Sequence, residues 1–106
     1  MREFVRVADV KEVPPGARLT FDFEEESGIV FNVDGEFFVV ADLCSHDDGP
    51  LGDGPLDGHE VECPRHGARF DIRDGKALCM PAVTGIPSYE VRIKDGSIYI
   101  ESPDGI

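Results

Sequence analysis

Two short boxes constrain this chain more than anything else in it: Cys44-Ser45-His46 and Cys63-Pro64-Arg65-His66, with 16 residues between His46 and Cys63. Each box offers one thiol and one imidazole, so the possible ligands alternate Cys, His, Cys, His along the chain. A fold that uses them together must bring two loops to one place. The first box follows F-F-V-V-A-D-L at 37–43, and the second follows His59-Glu60-Val61-Glu62. Both boxes therefore begin where a strand is predicted to end. Paired strands would project all four side chains from one tip. The stretch between the boxes, D-D-G-P-L-G-D-G-P-L-D-G, reads as loop and turn throughout.

The remaining pattern is that of an all-β protein. Asp-Gly pairs stand at 34–35, 57–58, 74–75 and 95–96, several of them between alternating or β-branched runs. One hairpin is predicted to join 28–33 to Glu36–Ala41, and another to join 89–94 to Ser97–Glu101. In the second, Val91 and Ile93 alternate with Arg92 and Lys94, the period of a half-buried strand. Further strands are expected over 3–8, 17–23, 59–63, 68–72 and 76–78. Twelve Gly, eight Pro and no long apolar repeat of 3.6 residues argue against long helices, leaving one short turn of helix at 9–13.

A length of 106 residues fits one domain with one modest core. It leaves no room for a catalytic domain beside the boxes. Ten Lys and Arg against 22 Asp and Glu give a net charge of −12. Such a surface repels nucleic acid and anionic membranes and favours partners with basic docking faces. The N-terminal segment mixes charges among its apolar residues and shows neither a signal-peptide core nor a membrane anchor. Three cysteines, two of them in the boxes, speak against a disulfide framework and for a reducing cytoplasm.

The boxes, with the Cys63–Ala77 segment C-P-R-H-G-A-R-F-D-I-R-D-G-K-A that begins at the second one, resemble those of the Rieske ferredoxins. The likeness extends to residues 81–87, which would form a third loop, and to the closing hairpin at Asp95-Gly96. It implies an all-β, Rieske-like fold of stacked antiparallel sheets, a single domain over 1–106 with a cluster-binding subdomain at one tip, roughly 43–82. It also implies one 2Fe-2S cluster. Cys44 and Cys63 would hold the inner iron, and His46 and His66 the outer one. Imidazoles in place of two thiolates make such a cluster less negative and raise its potential to about −150 to +300 mV. Zinc is the chemical rival, since two Cys and two His also build a tetrahedral site. Zinc fingers, however, pair cysteines in one knuckle and histidines in the other, whereas here each box is mixed.

Three departures refine the resemblance. High-potential members of the family carry an extra cysteine in each box; here the second-box position is Arg65, so no stapling disulfide can form. Those members also offer hydroxyls where this chain has Ala68 and Phe70. Without those hydrogen bonds to the cluster sulfurs a low potential is expected. Cys79 is left over and is expected to be a buried free thiol. His59 is read as structural, and Asp47 and Asp48 as solvated neighbours of His46.

Similar ferredoxins are one-electron carriers, not enzymes. They accept electrons from an NAD(P)H-dependent flavoprotein reductase and pass them to a terminal oxygenase. The chain has no G-x-G-x-x-G fingerprint with which to oxidise the nucleotide itself. The reading is thus a monomeric, cytoplasmic carrier with protein partners. The alternatives are a small subunit of a multi-component reductase, such as nitrite reductase, or a non-redox binding or assembly module stabilised by its metal.

Overall fold

A computed structural model describes residues 3–23, 26–45, 49–80 and 84–101. Eleven strands run in chain order: β1 (Phe4–Asp9), β2 (Arg18–Phe23), β3 (Glu26–Val33), β4 (Glu36–Ala41), β5 (Leu56–Asp57), β6 (Glu60–Glu62), β7 (Arg69–Asp71), β8 (Ala77–Cys79), β9 (Ser88–Tyr89), β10 (Val91–Lys94) and β11 (Ser97–Glu101). A 3-10 turn at Val10–Glu12 follows β1, where the short helical turn was predicted. It is held by a capping box in which the Asp9 N–H donates to the Glu12 carboxylate at 2.8 Å.

Among the described residues all pairings are antiparallel, and they form three sheets ordered β1-β11-β10, β2-β3-β4-β9 and β5-β6-β7-β8. The two Asp-Gly hairpins form as predicted. Asp34 and Gly35 have φ of 54° and 95°, and Asp95 and Gly96 have 52° and 78°. Positive φ at both central residues gives the turn whose twist matches that of paired strands.

The β2-β3-β4-β9 sheet lies in the middle, and β3 shows why. Residues Gly28 to Asn32 are buried in succession instead of alternating, as they must be when both faces are covered. On one face Val30 and Val39 pack with Ala8, Val13, Ile98 and Ile100 against the β1-β11-β10 sheet. On the other, Ile29, Phe31 and Val40 pack with Val61, Phe70, Ile72, Leu51 and the two box cysteines. The core around the boxes is therefore continuous with the base of the fold.

Two predicted elements differ. The 89–94 strand is divided at Glu90. Tyr89 pairs with Val39 in the central sheet, whereas Val91 to Lys94 pair with β11. One strand has been shared between two sheets, which a period-2 pattern cannot reveal. The loop between the boxes also contains a strand, since Leu56 and Asp57 pair with Val61 and Glu60 across the turn at Gly58. Gly58 has φ 62° and opens a two-residue loop with His59, so here the aspartate ends the strand and the glycine begins the turn.

Candidate cluster-binding site

The two boxes are built alike. The Cys44 N–H donates to the Gly49 carbonyl at 2.7 Å, and the Cys63 N–H donates to the Ala68 carbonyl at 2.7 Å. Each cysteine thus closes a loop on the residue five positions later. The second loop is tightened further by the Gly67 N–H, which donates to the Cys63 carbonyl at 3.0 Å. Gly67 needs its glycine, because its φ is 78°. The loop turns from β6 into β7 within six residues, Cys63 to Ala68.

Depth separates the thiols from the imidazole. Cys44 and Cys63 are both 0% exposed and belong to one core cluster, whereas His66, three residues beyond Cys63, is exposed. All three cysteines are free, and Cys44 and Cys63 have no disulfide to occupy them. His46, Asp47 and Asp48 lie outside the described residues. Among the described residues no three His, Cys, Asp or Glu side chains converge as the ligands of a single ion. A binuclear cluster needs only a pair of protein ligands on each iron, bridged by sulfide. Two buried thiols with an exposed imidazole beyond them suit that need.

Supports from elsewhere hold the first loop. Asp42 Oδ1 accepts the N–H of Leu51 at 2.7 Å and of Gly52 at 2.9 Å, fixing the chain just past the box. Arg18, on β2, lies over the Phe31 ring at 5.1 Å and donates to the carbonyls of Gly52, at 3.1 Å, and Gly54. The Ser45 hydroxyl donates to the Thr84 carbonyl, tying the first loop to the third. Asp42 had a signal in sequence, a carboxylate just before a Gly-rich loop. Arg18 had none, since 34 residues separate it from Gly52.

Cys79 corrects the expectation of a buried thiol. It is exposed at the end of an outer strand, with Leu78 and Met80 exposed beside it, and its Sγ donates to the Gly67 carbonyl at 3.5 Å. The short β8 lies at the edge of its sheet. His59 is structural, as expected. Its ring meets Phe38 edge-on at 5.2 Å, and its carbonyl accepts the Ile72 N–H at 2.8 Å. Ala68 and Phe70 are both 0% exposed.

The sheet behind the boxes carries its own charge pairs. Arg69 reaches Glu62 at 2.9 Å and Glu60 at 3.5 Å, and the nearby Glu62 charge holds its guanidinium pKa above the ordinary value. Arg73 donates to both oxygens of Asp71, at 3.0 and 2.7 Å, and so holds that carboxyl below the usual range.

Residues 3–90 match the Rieske [2Fe-2S] domain, and the chain belongs to that family. It is 44% identical over 95 residues to the 3-phenylpropionate/cinnamic acid dioxygenase ferredoxin subunit of Photorhabdus laumondii, an alignment covering 89% of this chain and 90% of that one. Among solved structures it superposes on the Sphingomonas yanoikuyae B1 ferredoxin with a TM-score of 0.88 and 39% identity, covering 95% of this chain and all of the other. It also superposes, with a TM-score of 0.86 and 27% identity over 92% of each chain, on a chain from a complex of reduced oxygenase and oxidized ferredoxin in carbazole 1,9a-dioxygenase. These likenesses establish an electron-transfer ferredoxin with one 2Fe-2S cluster, not a catalytic subunit. No described helix is long and apolar enough to cross a membrane.

Proposed function

We propose that this chain accepts single electrons from an NAD(P)H-dependent flavoprotein reductase and delivers them to the terminal component of an aromatic-ring-hydroxylating dioxygenase. Cys44 and Cys63 hold one iron, and His46 and His66 hold the other. The observation that carries this reading is the gradient of depth within the second box, from wholly buried Cys63 to exposed His66. The two thiols would hold a cluster from the core side and His66 from the surface side, and the cluster would supply the one-electron chemistry within reach of a docked partner. Residues 43–82 act as the cluster-binding unit of one domain, a reading supported by the separate β5-β6-β7-β8 sheet. The carrier is monomeric and cytoplasmic, in keeping with three free cysteines and a net charge of −12.

Anaerobic mixing with NADH and the reductase of such a system tests the upstream half. The expected result is twice as many chains reduced as NADH molecules oxidised, because a hydride carries two electrons and each cluster accepts one. Subsequent mixing with the oxygenase should reoxidise the carrier. A carrier that stays oxidised with the reductase, or stays reduced with the oxygenase, would overturn the assignment.

The surroundings of the cluster set its potential. Ala68 and Phe70 are buried and offer no hydroxyl, so the cluster sulfurs lack two donors that would stabilise the more negative, reduced state. The midpoint should therefore lie near the bottom of the family's range of about −150 to +300 mV. Ala68→Ser and Phe70→Tyr are each expected to raise it in protein-film voltammetry. An unchanged or lower midpoint in both variants would remove the argument.

A further inference from the structure

Arg65 stands between Cys63 and His66, yet its side chain belongs to the other loop. Its Nη1 donates to the Pro50 carbonyl at 2.8 Å. Its guanidinium also lies against Gly49 so closely that a Cβ there would fall 2.6 Å from Cζ and Nη2 and 3.0 Å from Nε. The Gly49 carbonyl is the acceptor for the Cys44 N–H. The contacts therefore run without a break from the Cys63 loop, through the guanidinium, to the peptide that closes the Cys44 loop. The three nearest atoms such a Cβ would meet all belong to this guanidinium, so a side chain at Gly49 would have to push the arginine aside.

We propose that Arg65 is a positioning residue, a latch that holds the two cysteine loops together around the cluster and sets a fixed positive charge beside it. A planar fork suits this task better than an ammonium, because one nitrogen can bond a carbonyl while the flat face packs on a bare Cα. The latch slows release of the cluster by keeping the loops from parting. The charge favours the reduced state, which carries one more electron, and so offsets part of what Ala68 and Phe70 withhold. This inference rests on the ligand reading given above.

The experiment uses the cluster-loaded protein. Bleaching of the visible bands by an iron chelator measures retention, and voltammetry at low and high salt measures the charge. Arg65→Met should bleach about tenfold faster, as expected for the loss of one charge-assisted hydrogen bond. Its midpoint should be lower, by an amount that shrinks in salt. Gly49→Ala displaces the guanidinium without removing it and should bleach as fast as Arg65→Met. The double variant should be no worse than either single one. Arg65→Lys should recover much of the midpoint but not the retention. Should Arg65→Met fail to load a cluster, Arg65→Lys and Gly49→Ala decide the matter.

Wild-type retention in Gly49→Ala and in whichever Arg65 variants load, or additive losses in the double variant, would overturn the latch. EPR of the dithionite-reduced wild type separates this from failure of the ligand assignment. A signal without mixed His/Cys ligation would sink that assignment, whereas a Rieske-type signal with unaffected Arg65 variants would sink only the latch.

Discussion

Cys63→Ser is expected to yield a folded but colourless protein, with iron and acid-labile sulfide far below one cluster per chain. A serine hydroxyl is a poor ligand for iron in a sulfide-bridged cluster, where the thiolate is both soft and readily ionised. The turn itself should survive, because the backbone N–H and carbonyl of Cys63 hold it, not the side chain. The new hydroxyl is wholly buried and, left without a partner, costs about 1–3 kcal/mol on top of the stability lost with the cluster. Absorbance, metal analysis and EPR read the outcome together. Cys79→Ser is the control, since that thiol is exposed and bonded to the Gly67 carbonyl. It should load a full cluster with an unaltered spectrum. A coloured Cys63→Ser or a colourless Cys79→Ser would mean the wrong cysteines have been assigned.

Phe31→Ala should be among the most destabilising core substitutions, at about 3–5 kcal/mol, which is much of the roughly 5–15 kcal/mol available to a small domain. Phe31 is fully buried in the layer between the central sheet and the boxes. Its ring is also the seat of Arg18, which holds the carbonyls of Gly52 and Gly54. The substitution should thus lower the urea midpoint and speed chelator bleaching as well. Val30→Ala, on the opposite face of the same strand, should lower the urea midpoint without a comparable change in bleaching. Equal bleaching rates in the two variants would contradict the link through Arg18.

What could be read from the residues was what chemistry writes locally. Asp34-Gly35 and Asp95-Gly96 demanded positive φ and delivered hairpins at those positions. The strand Glu36–Ala41 has the predicted bounds, while those of most others shift by a residue or two. The alternation of thiol and imidazole pointed to the family that residues 3–90 match. What escaped was whatever depends on distant partners. Leu56 and Asp57 looked like loop because a two-residue strand has no period to show. The division at Glu90 arises because two sheets compete for one extended segment. Cys79 was expected inside on the usual behaviour of cysteines, and it lies outside because β8 is an edge. Neither Arg18 over Phe31 nor Arg65 against Gly49 has a local signature, since each contact joins segments whose approach is decided by the whole fold.

The pairing of Phe4 with Glu101 brings the first and last described strands side by side, in the sheet on the far side of the central layer from Cys44 and Cys63. The described part of the chain thus enters and leaves through one doorway, on the side away from the two box cysteines. A unit with that geometry can be spliced into a longer polypeptide, or tethered by either end to an electrode, without a linker crossing its working surface.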